Sequence, residues 1–282
     1  FALKSPDQFL PQAPNFYPAQ AQQYIKQAKQ VLEYSANLTD RQKVIAEYWA
    51  DGPSSELPPG HWALFAEFVS RRDHHTVDQD AKMFFAMTNA VLDASVSSWH
   101  AKRLFDYIRP VSAIHFLFAG QQVKAWAGPG LGTRLIDGAA WQPYQAKTVV
   151  TPPFPEYVSG HSIFSAAAAK VLKEYTGSDY FGQAVTIPAG SSRVEPGVVP
   201  ATDMTLRWRT FSEAADEAGI SRRYGGIHFV EGDVRSRRMG KKIGRQAWRK
   251  AVAYFTGTVG TPWDDSARPH PEDEEETSED RH

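Results

Sequence analysis

The sequence predicts an all-α fold, a helical bundle with long loops between some of its helices. Apolar residues recur at helical spacing in several segments, strand patterns are almost absent, and prolines and glycines concentrate between the helical segments. These observations favour a single helical domain over residues 1–265. Residues 266–282 are too acidic and too poor in apolar side chains to pack, so we expect a disordered tail there.

The N-terminal part of the chain predicts a series of helices after an irregular start. Residues 1–20 contain four prolines and should be extended. Thr39 and Gln42 have the spacing of a capping box, which predicts a helix that ends near Asp51. A proline-rich loop is expected over residues 53–60. The other helices predicted in this part span residues 19–34, 62–69 and 76–105, the last as one long helix or a helix pair.

The remainder of the chain combines predicted helices with longer loops. Pro110 ends the preceding helix, and residues 111–118 should form a short one. Residues 119–151 contain five glycines and few periodic apolar positions, so we expect a loop. A second, polar loop is expected over residues 176–203. The other predicted helices span residues 162–175, 204–218 and 234–255.

The composition excludes several classes of partner. Hydrophobic residues make up 42% and charged residues 22%, which is ordinary for a chain that buries a core. A net charge of −1 gives no basis for nucleic-acid binding, and no apolar run reaches the roughly 18 residues needed to span a bilayer. The absence of cysteine excludes disulfides and thiolate metal sites. Together with a start that is not Met, it favours an extracellular or periplasmic location, and a homo-oligomer stays open.

The segment around Ser159, Gly160 and His161 is the chemically most suggestive part of the chain. Three prolines just before it prevent a helix, whereas the small and apolar residues 162–172 predict a buried one. The three residues therefore lie at a helix N-terminus, where free N–H groups and a partial positive charge suit an anion. His161 adds a group that exchanges protons near neutral pH. The alternative is an ordinary Ser N-cap with a His in the first turn.

Two other stretches carry cations that could face the same anion. Lys102 and Arg109 are two helical turns apart and share one face, and the apolar residues between them indicate burial. The alternative is a solvated basic face. In the second stretch, Gly225-Gly226 breaks a helix and lets Arg222 and His228 face one point. A purely structural role for His228 is the alternative there.

In combination, the three stretches resemble the signature of the type-2 phosphatidic acid phosphatase and vanadium haloperoxidase superfamily, whose members are helical bundles. The order is Lys-x6-Arg-Pro, then Ser-Gly-His, then Ser-Arg-x5-His. The matching positions are Lys102, Arg109, Pro110, Ser159, Gly160, His161, Ser221, Arg222 and His228. Trp99, Phe154 and the segment Tyr48-Trp49-Ala50-Asp51 resemble the soluble haloperoxidase branch, especially its chloroperoxidase-like members.

The chain departs from the family pattern in three ways. Val158 stands where a proline usually precedes Ser-Gly-His. Gly232 stands where an acid often follows the last histidine by four, and Asp233 comes next, so support of His228 by Asp233 is in doubt. The helical part before these residues is shorter than in full-length haloperoxidases, which is consistent with an N-terminally truncated form.

The resemblance implies a vanadate(V) cofactor that is held in a cage of these side chains. Lys102, Arg109 and Arg222 would neutralise its oxygens, and Ser159 and Gly160 would donate hydrogen bonds to it. Phosphate would fit the same site. The implied substrates are hydrogen peroxide and a halide, which would give a hypohalous species; the organic acceptor is unknown.

The resemblance also implies a role for each remaining residue. His228 would be the metal ligand, through a neutral ring nitrogen, and His161 would exchange protons with peroxide. Trp99 and Phe154 would form an apolar wall on the halide side. Asp51 would hold the guanidinium of Arg222 in place.

Two other functions stay open at the level of sequence. With His228 as nucleophile and His161 as general acid, the same cage would make a soluble acid phosphatase that acts through a phosphohistidine. A non-catalytic anion-binding helical protein is the third reading, and in it Lys102→Ala and His161→Ala would have no activity phenotype.

Overall fold

The computed structural model describes residues 1–12 and 21–259, so the predicted acidic tail lies outside the described residues. The fold is a helical bundle with two small antiparallel hairpins, which confirms the predicted all-α class. The helices are α1 (Ala21–Ala36), α2 (Asp40–Tyr48), α3 (Leu57–Asp73), α4 (Val77–Phe105), α5 (Pro110–Phe118), α6 (Gly160–Thr176), α7 (Phe211–Tyr224) and α8 (Val230–Phe255). The strands are β1 (Gln122–Trp126), β2 (Thr133–Asp137), β3 (Tyr180–Ile187) and β4 (Met204–Thr210).

Helix α6 lies at the centre of the bundle and packs against α3, α4, α7 and α8. Its small residues Ala166–Ala169 are buried and allow this close packing. Helix α8 approaches through Gly240 and Gly244, because a Cβ at Gly240 would overlap the carbonyl oxygen of Ile163. The position of the α6 N-terminus is therefore fixed from several sides.

Capping residues set the helix starts that lead into the site. Thr39, Thr76 and Thr210 each form a capping box, with Gln42, Gln79 and Glu213 respectively as the reciprocal partners. Residues 76–105, predicted as one helix or two, form the single helix α4. None of the helices that the structure describes is long and apolar enough to cross a membrane.

The start of α3 corrects the predicted loop over residues 53–60. The helix begins at Leu57, so Pro58, Pro59 and Gly60 lie in its first turn rather than before it. The first turn tolerates proline because its backbone N–H groups have no partner within the helix in any case.

The hairpins correct three further predictions. The predicted loop over residues 119–151 contains β1 and β2, which pair with each other. The predicted loop over residues 176–203 contains β3. The predicted helix over residues 204–218 is wrong in its first half, because residues 204–210 form β4 and pair with β3. Leu206 and Trp208 are buried whereas their neighbours Arg207 and Arg209 are exposed, and this period-two pattern is that of a strand.

Candidate active site

The candidate site is built from the ends of five helices. Lys102 lies in the last turn of α4, Arg109 is the N-cap of α5 and Ser159 is the N-cap of α6. Arg222 lies in the last turn of α7, and His228 precedes α8. Because these helix ends meet at one place in the bundle, residues far apart in sequence come together there.

Three buried cations define the electrostatics of the site. Lys102, Arg109 and Arg222 are only 2%, 5% and 1% exposed. Burial, together with Arg109, lowers the pKa of Lys102, and burial lowers the pKa of both arginines to about 10. Buried cations with lowered pKa values favour a bound anion, which would restore the lost solvation.

The hydrogen bonds described for these three cations go to neutral groups. Lys102 Nζ donates to the carbonyl oxygen of Pro155 at 2.7 Å, and Arg109 donates to the carbonyl oxygens of Phe154 and Ile227 at 3.0 and 2.9 Å. Arg222 donates to Ser221 Oγ at 2.9 Å and to the carbonyl oxygen of Ala46. Carbonyls orient the cations without cancelling their charge, so an excess of positive charge is left for an oxyanion.

His228 presents one ring nitrogen to this group of cations. Arg109 Nη1 lies 3.0 Å from His228 Nε2, and a guanidinium can only donate, so Nε2 carries a lone pair. The ring proton therefore sits on Nδ1, which donates to Glu156 Oε1 at 2.6 Å. Burial and the charges of Arg109 and Lys102 lower the pKa of His228, which keeps the ring neutral. A neutral imidazole with an unprotonated Nε2 is the form that ligates a metal.

Glu156 is the functional residue that the sequence analysis missed. Its side chain is fully buried, and its Oε1 accepts hydrogen bonds from His228 Nδ1 and from the backbone N–H of Phe229 at 3.1 Å. Burial raises the pKa of Glu156 to about 7, against the lowering effect of Arg109 and Lys102. It is the carboxylate that supports His228.

Gly232 makes room for this carboxylate, since a Cβ at that position would overlap Glu156 Oε1. Asp233, the acid next to Gly232, contacts other residues than His228. It accepts a hydrogen bond from Ser162 Oγ at 2.9 Å and forms a salt bridge with Arg237 at 2.6 Å. The signal available in the sequence was the missing acid at residue 232 together with an acid between Pro155 and Tyr157.

The N-terminus of α6 supplies hydrogen-bond donors. Ser159 Oγ caps the helix by accepting from the backbone N–H of Ser162 at 3.4 Å. It also lies 2.9 Å from Ser162 Oγ, whose own proton goes to Asp233 Oδ1, so the Ser159 O–H acts as a donor. Gly160 is the first residue of α6, where a backbone N–H has no acceptor within the helix. Both groups are therefore suited to an anion that sits at the helix end.

His161 lies in the first turn of α6 and faces Asp51. Burial and the charge of Arg222 lower the pKa of His161 to about 3. Its ring bonds the backbone of Trp49, whereas Nε2 has no hydrogen-bond partner among the described residues and lies 3.8 Å from Asp51 Oδ2. His161 is thus neutral and has one unused ring nitrogen.

A direct contact between Asp51 and Arg222 is not among the hydrogen bonds and salt bridges of the described residues, and the predicted role of Asp51 stays a prediction. Asp51 Oδ1 bonds His61 Nδ1 at 3.0 Å, and Arg222 bonds Ser221 and Ala46. Asp51 acts on Arg222 through charge alone and raises its pKa against the larger effect of burial. The sequence pattern placed Asp51 in the right neighbourhood, but the competing donor His61 comes from another helix.

Trp99 and Phe154 meet beside the cations. Their ring centroids lie 4.8 Å apart in an edge-to-face arrangement. The Phe154 ring lies 5.1 Å from both Lys102 Nζ and the guanidinium carbon of Arg109, and Trp99 is 48% exposed. The pair forms an apolar surface between solvent and two of the cations.

The donor set suits an oxyanion better than a bare cation. In the described ranges, no three His, Asp or Glu side chains gather so that they could hold a metal ion. The site instead offers three cations, helix N-terminal donors and the unprotonated Nε2 of His228. Vanadate, a metal oxyanion with one open coordination position, fits these groups.

Fold and site together define a helical bundle with a buried candidate oxyanion site at its helix ends. The family of the VCPO second helical-bundle domain matches residues 82–257, which is more than half of the chain. The chain belongs to this vanadium haloperoxidase family. No curated protein sequence matches it.

Solved structures of bacterial enzymes share the fold. The apo form of a bacterial vanadium-dependent chloroperoxidase superposes with a TM-score of 0.82 at 26% identity, over 90% of this chain and 54% of that one. The holo form of a bacterial vanadium-dependent chloroperoxidase gives 0.79 at 26% identity, over 90% and 53%. A bacterial vanadium-dependent iodoperoxidase gives 0.68 at 27% identity, over 88% and 54%. This chain therefore spans about half the length of the structures that it matches.

Proposed function

We propose that the protein is a vanadium-dependent haloperoxidase that oxidises a halide with hydrogen peroxide to a hypohalous species. The observation that carries the proposal is the His228 ring, whose Nε2 lone pair faces buried cations that no described carboxylate neutralises through a salt bridge. Membership of the haloperoxidase family supports it.

The protein groups would hold vanadate in the following way. Lys102, Arg109 and Arg222 would bind its oxygens, the Ser159 O–H and Gly160 N–H would donate to it, and His228 Nε2 would be its protein ligand. Bound vanadate would supply a Lewis-acidic centre that activates hydrogen peroxide towards halide. Fixed cations in a site poor in water stabilise developing negative charge without reorganisation.

His161 is the residue that moves the proton. Its neutral ring and unused Nε2 can take a proton from hydrogen peroxide and return it to an oxygen that leaves. On the solvent side, Trp99 and Phe154 would limit the access of water to halide.

The deciding test compares two assays on one preparation: bromination of monochlorodimedone with vanadate and peroxide, and hydrolysis of p-nitrophenyl phosphate. We expect bromination, and we expect His228→Ala to abolish it together with vanadate binding measured by calorimetry. His115→Ala serves as a control, because that ring bonds the carbonyl oxygen of Trp141 outside the site.

Two results would contradict the proposal. The first is full turnover with stoichiometric vanadium in His228→Ala. The second is phosphate ester hydrolysis without halide oxidation, which would assign the cage to a phosphatase.

A further inference from the structure

His61 of α3 bridges two polar side chains beside the candidate site. Its Nδ1 lies 3.0 Å from Asp51 Oδ1, and its Nε2 lies 3.0 Å from the Tyr48 hydroxyl. The ring is buried and stacks on the Trp49 indole with centroids 4.6 Å apart. Both ring nitrogens are thus engaged and the ring plane is fixed, so the position of His61 is tightly determined.

Within the part of the chain that the structure describes, Asp51 is held by one of its two carboxylate oxygens. Oδ1 takes the bond from His61, whereas Oδ2 is buried and has no hydrogen-bond partner in the described ranges. His161 Nε2 is likewise buried with no partner among those residues, and the two atoms lie 3.8 Å apart. Two buried acceptors that face each other need a proton between them to become satisfied.

The electrostatics keep the Asp51 carboxyl ionised, so that it can accept a hydrogen bond from a protonated His161. Burial acts to raise its pKa, but the hydrogen bond from His61 and the charge of Arg222 hold the pKa of the carboxyl below its usual value. An ionised Asp51 accepts only, so His61 Nδ1 must be the donor. With a neutral His61 ring, Tyr48 then donates to Nε2.

Several charged and titratable groups of neighbouring elements act on Tyr48, His61 and Asp51. They are Glu56, His161, Glu217 and Arg222. Tyr48, Asp51 and His61 also line a cavity of about 420 Å³, together with Arg71 and Arg193.

We propose that His61 is a positioning residue: supported by Tyr48, it keeps the free oxygen of Asp51 turned towards His161 so that His161 can hold a proton. In the step that it supports, the O–H bond of hydrogen peroxide breaks as an N–H bond forms at His161 Nε2. The electron pair stays on the peroxide oxygen. Asp51 changes no bond and stabilises the imidazolium. The inference rests on the proposed function only in naming hydrogen peroxide as the source of the proton. The contacts of His61 with Asp51 and Tyr48 do not depend on it.

The test uses two variants of nearly equal shape. His61→Asn keeps an N–H donor where Nδ1 stands, and His61→Leu removes it. The readout is the pH midpoint of His161 protonation. It is measured by nitrogen-15 histidine NMR of the full chain with saturating inorganic phosphate. We expect a midpoint about one pH unit lower in His61→Leu, a tenfold loss in proton affinity, and a value near wild type in His61→Asn.

His75 provides a matched control. Its Nδ1 lies 3.2 Å from Asp80 Oδ1 and its side chain is 7% exposed, so it is a similar pair away from the site. His75→Leu should lower the melting temperature without moving the His161 midpoint. Tyr48→Phe removes the hydroxyl from His61 Nε2 but keeps the ring in the core, so it should also lower the His161 midpoint. It replaces His61→Leu if that variant does not fold.

A His161 midpoint that is unchanged in His61→Leu and in Tyr48→Phe would overturn the inference. So would an equal fall in His61→Asn and His61→Leu, because shape and not the donor would then matter. Neither the His161 midpoint nor the melting temperature requires catalytic turnover to be measured. A chain that fails to oxidise halide but shows the His61-dependent midpoint would contradict the proposed function and leave the positioning role standing.

Discussion

The carboxylate of Glu156 occupies the space that a side chain at residue 232 would take. Glu156 is also the residue that determines which nitrogen of His228 carries the proton, through a contact of 2.6 Å. Single-residue changes at these two positions therefore act on the same hydrogen bond from opposite sides.

Glu156→Ala should lower vanadate affinity about 10–100-fold, the usual effect of removing the partner of a metal-ligating histidine. Glu156→Gln keeps an acceptor for Nδ1 and should lose less. Gly232→Ala should resemble Glu156→Ala, because the new methyl group displaces the carboxylate. Calorimetric titration with vanadate measures all three.

Glu231→Gln is the control, since Glu231 pairs with Arg235 on the same helix rather than with His228. Unaltered vanadate affinity in Glu156→Ala would show that the orientation of His228 does not depend on this carboxylate.

The pair Trp99 and Phe154 should tune halide preference. Chloride holds its water more strongly than bromide, so a wetter wall should harm its oxidation more. Trp99→Ala combined with Phe154→Ala should reduce chlorination more than bromination, as measured by steady-state rates with each halide. Phe116→Ala, at an 85% exposed position, serves as the control. Equal losses for both halides that follow a lower melting temperature would identify the pair as packing residues only.

At the level of elements, the close contact between α6 and α8 holds the N-terminus of α6 in place. Gly240→Ala would push a methyl group against the Ile163 carbonyl oxygen and the Ala166 side chain. Such overpacking costs about 1–3 kcal/mol of unfolding free energy, which corresponds to a melting temperature lower by roughly 2–10 °C. Differential scanning calorimetry measures the shift.

Lys242→Ala on the same helix is the matched control, because Lys242 is exposed. If both variants melt at the wild-type temperature, α8 has room to move and the tight packing of the two helices is not needed for stability.

At the level of the whole molecule, burial of the site should make stability depend on pH. The pKa of His161 is lowered to about 3 and that of His228 is also lowered, mainly by burial. Below pH 6.5 the unfolded chain binds protons that the folded chain does not, so stability is lost on acidification. Each histidine contributes about 1.4 kcal/mol per pH unit in that window. Glu156, with a pKa raised to about 7, has the opposite effect on stability: its contribution to the unfolding free energy falls as the pH rises from about 4.5 to 7.

His161→Gln should therefore flatten the fall in unfolding free energy between pH 6.5 and 5. Urea denaturation of the oxyanion-free protein at several pH values measures the slope. A slope identical to that of the wild type would mean that His161 takes up its proton in the folded state.

Local chemistry determined much of this protein in advance. Capping residues such as Thr39 set a helix start, the helical period set α4, α6 and α8 to within a few residues, and the prolines before Ser159 put the Ser-Gly-His segment at a helix N-terminus. The spacing of Lys102, Arg109, Arg222 and His228 pointed to the family whose helical-bundle domain matches residues 82–257. These features depend on near neighbours in the chain, so the sequence expresses them directly.

Only the tertiary structure decided which acid serves which base. Glu156 meets His228, and Asp51 meets His61 rather than Arg222, although the members of the first pair lie 72 residues apart in the chain. Strand β4 likewise exists because β3 pairs with it, against a local pattern that permitted a helix. Contacts of this kind depend on how whole helices and strands pack, and buried groups then pair with whichever donor packing brings within reach.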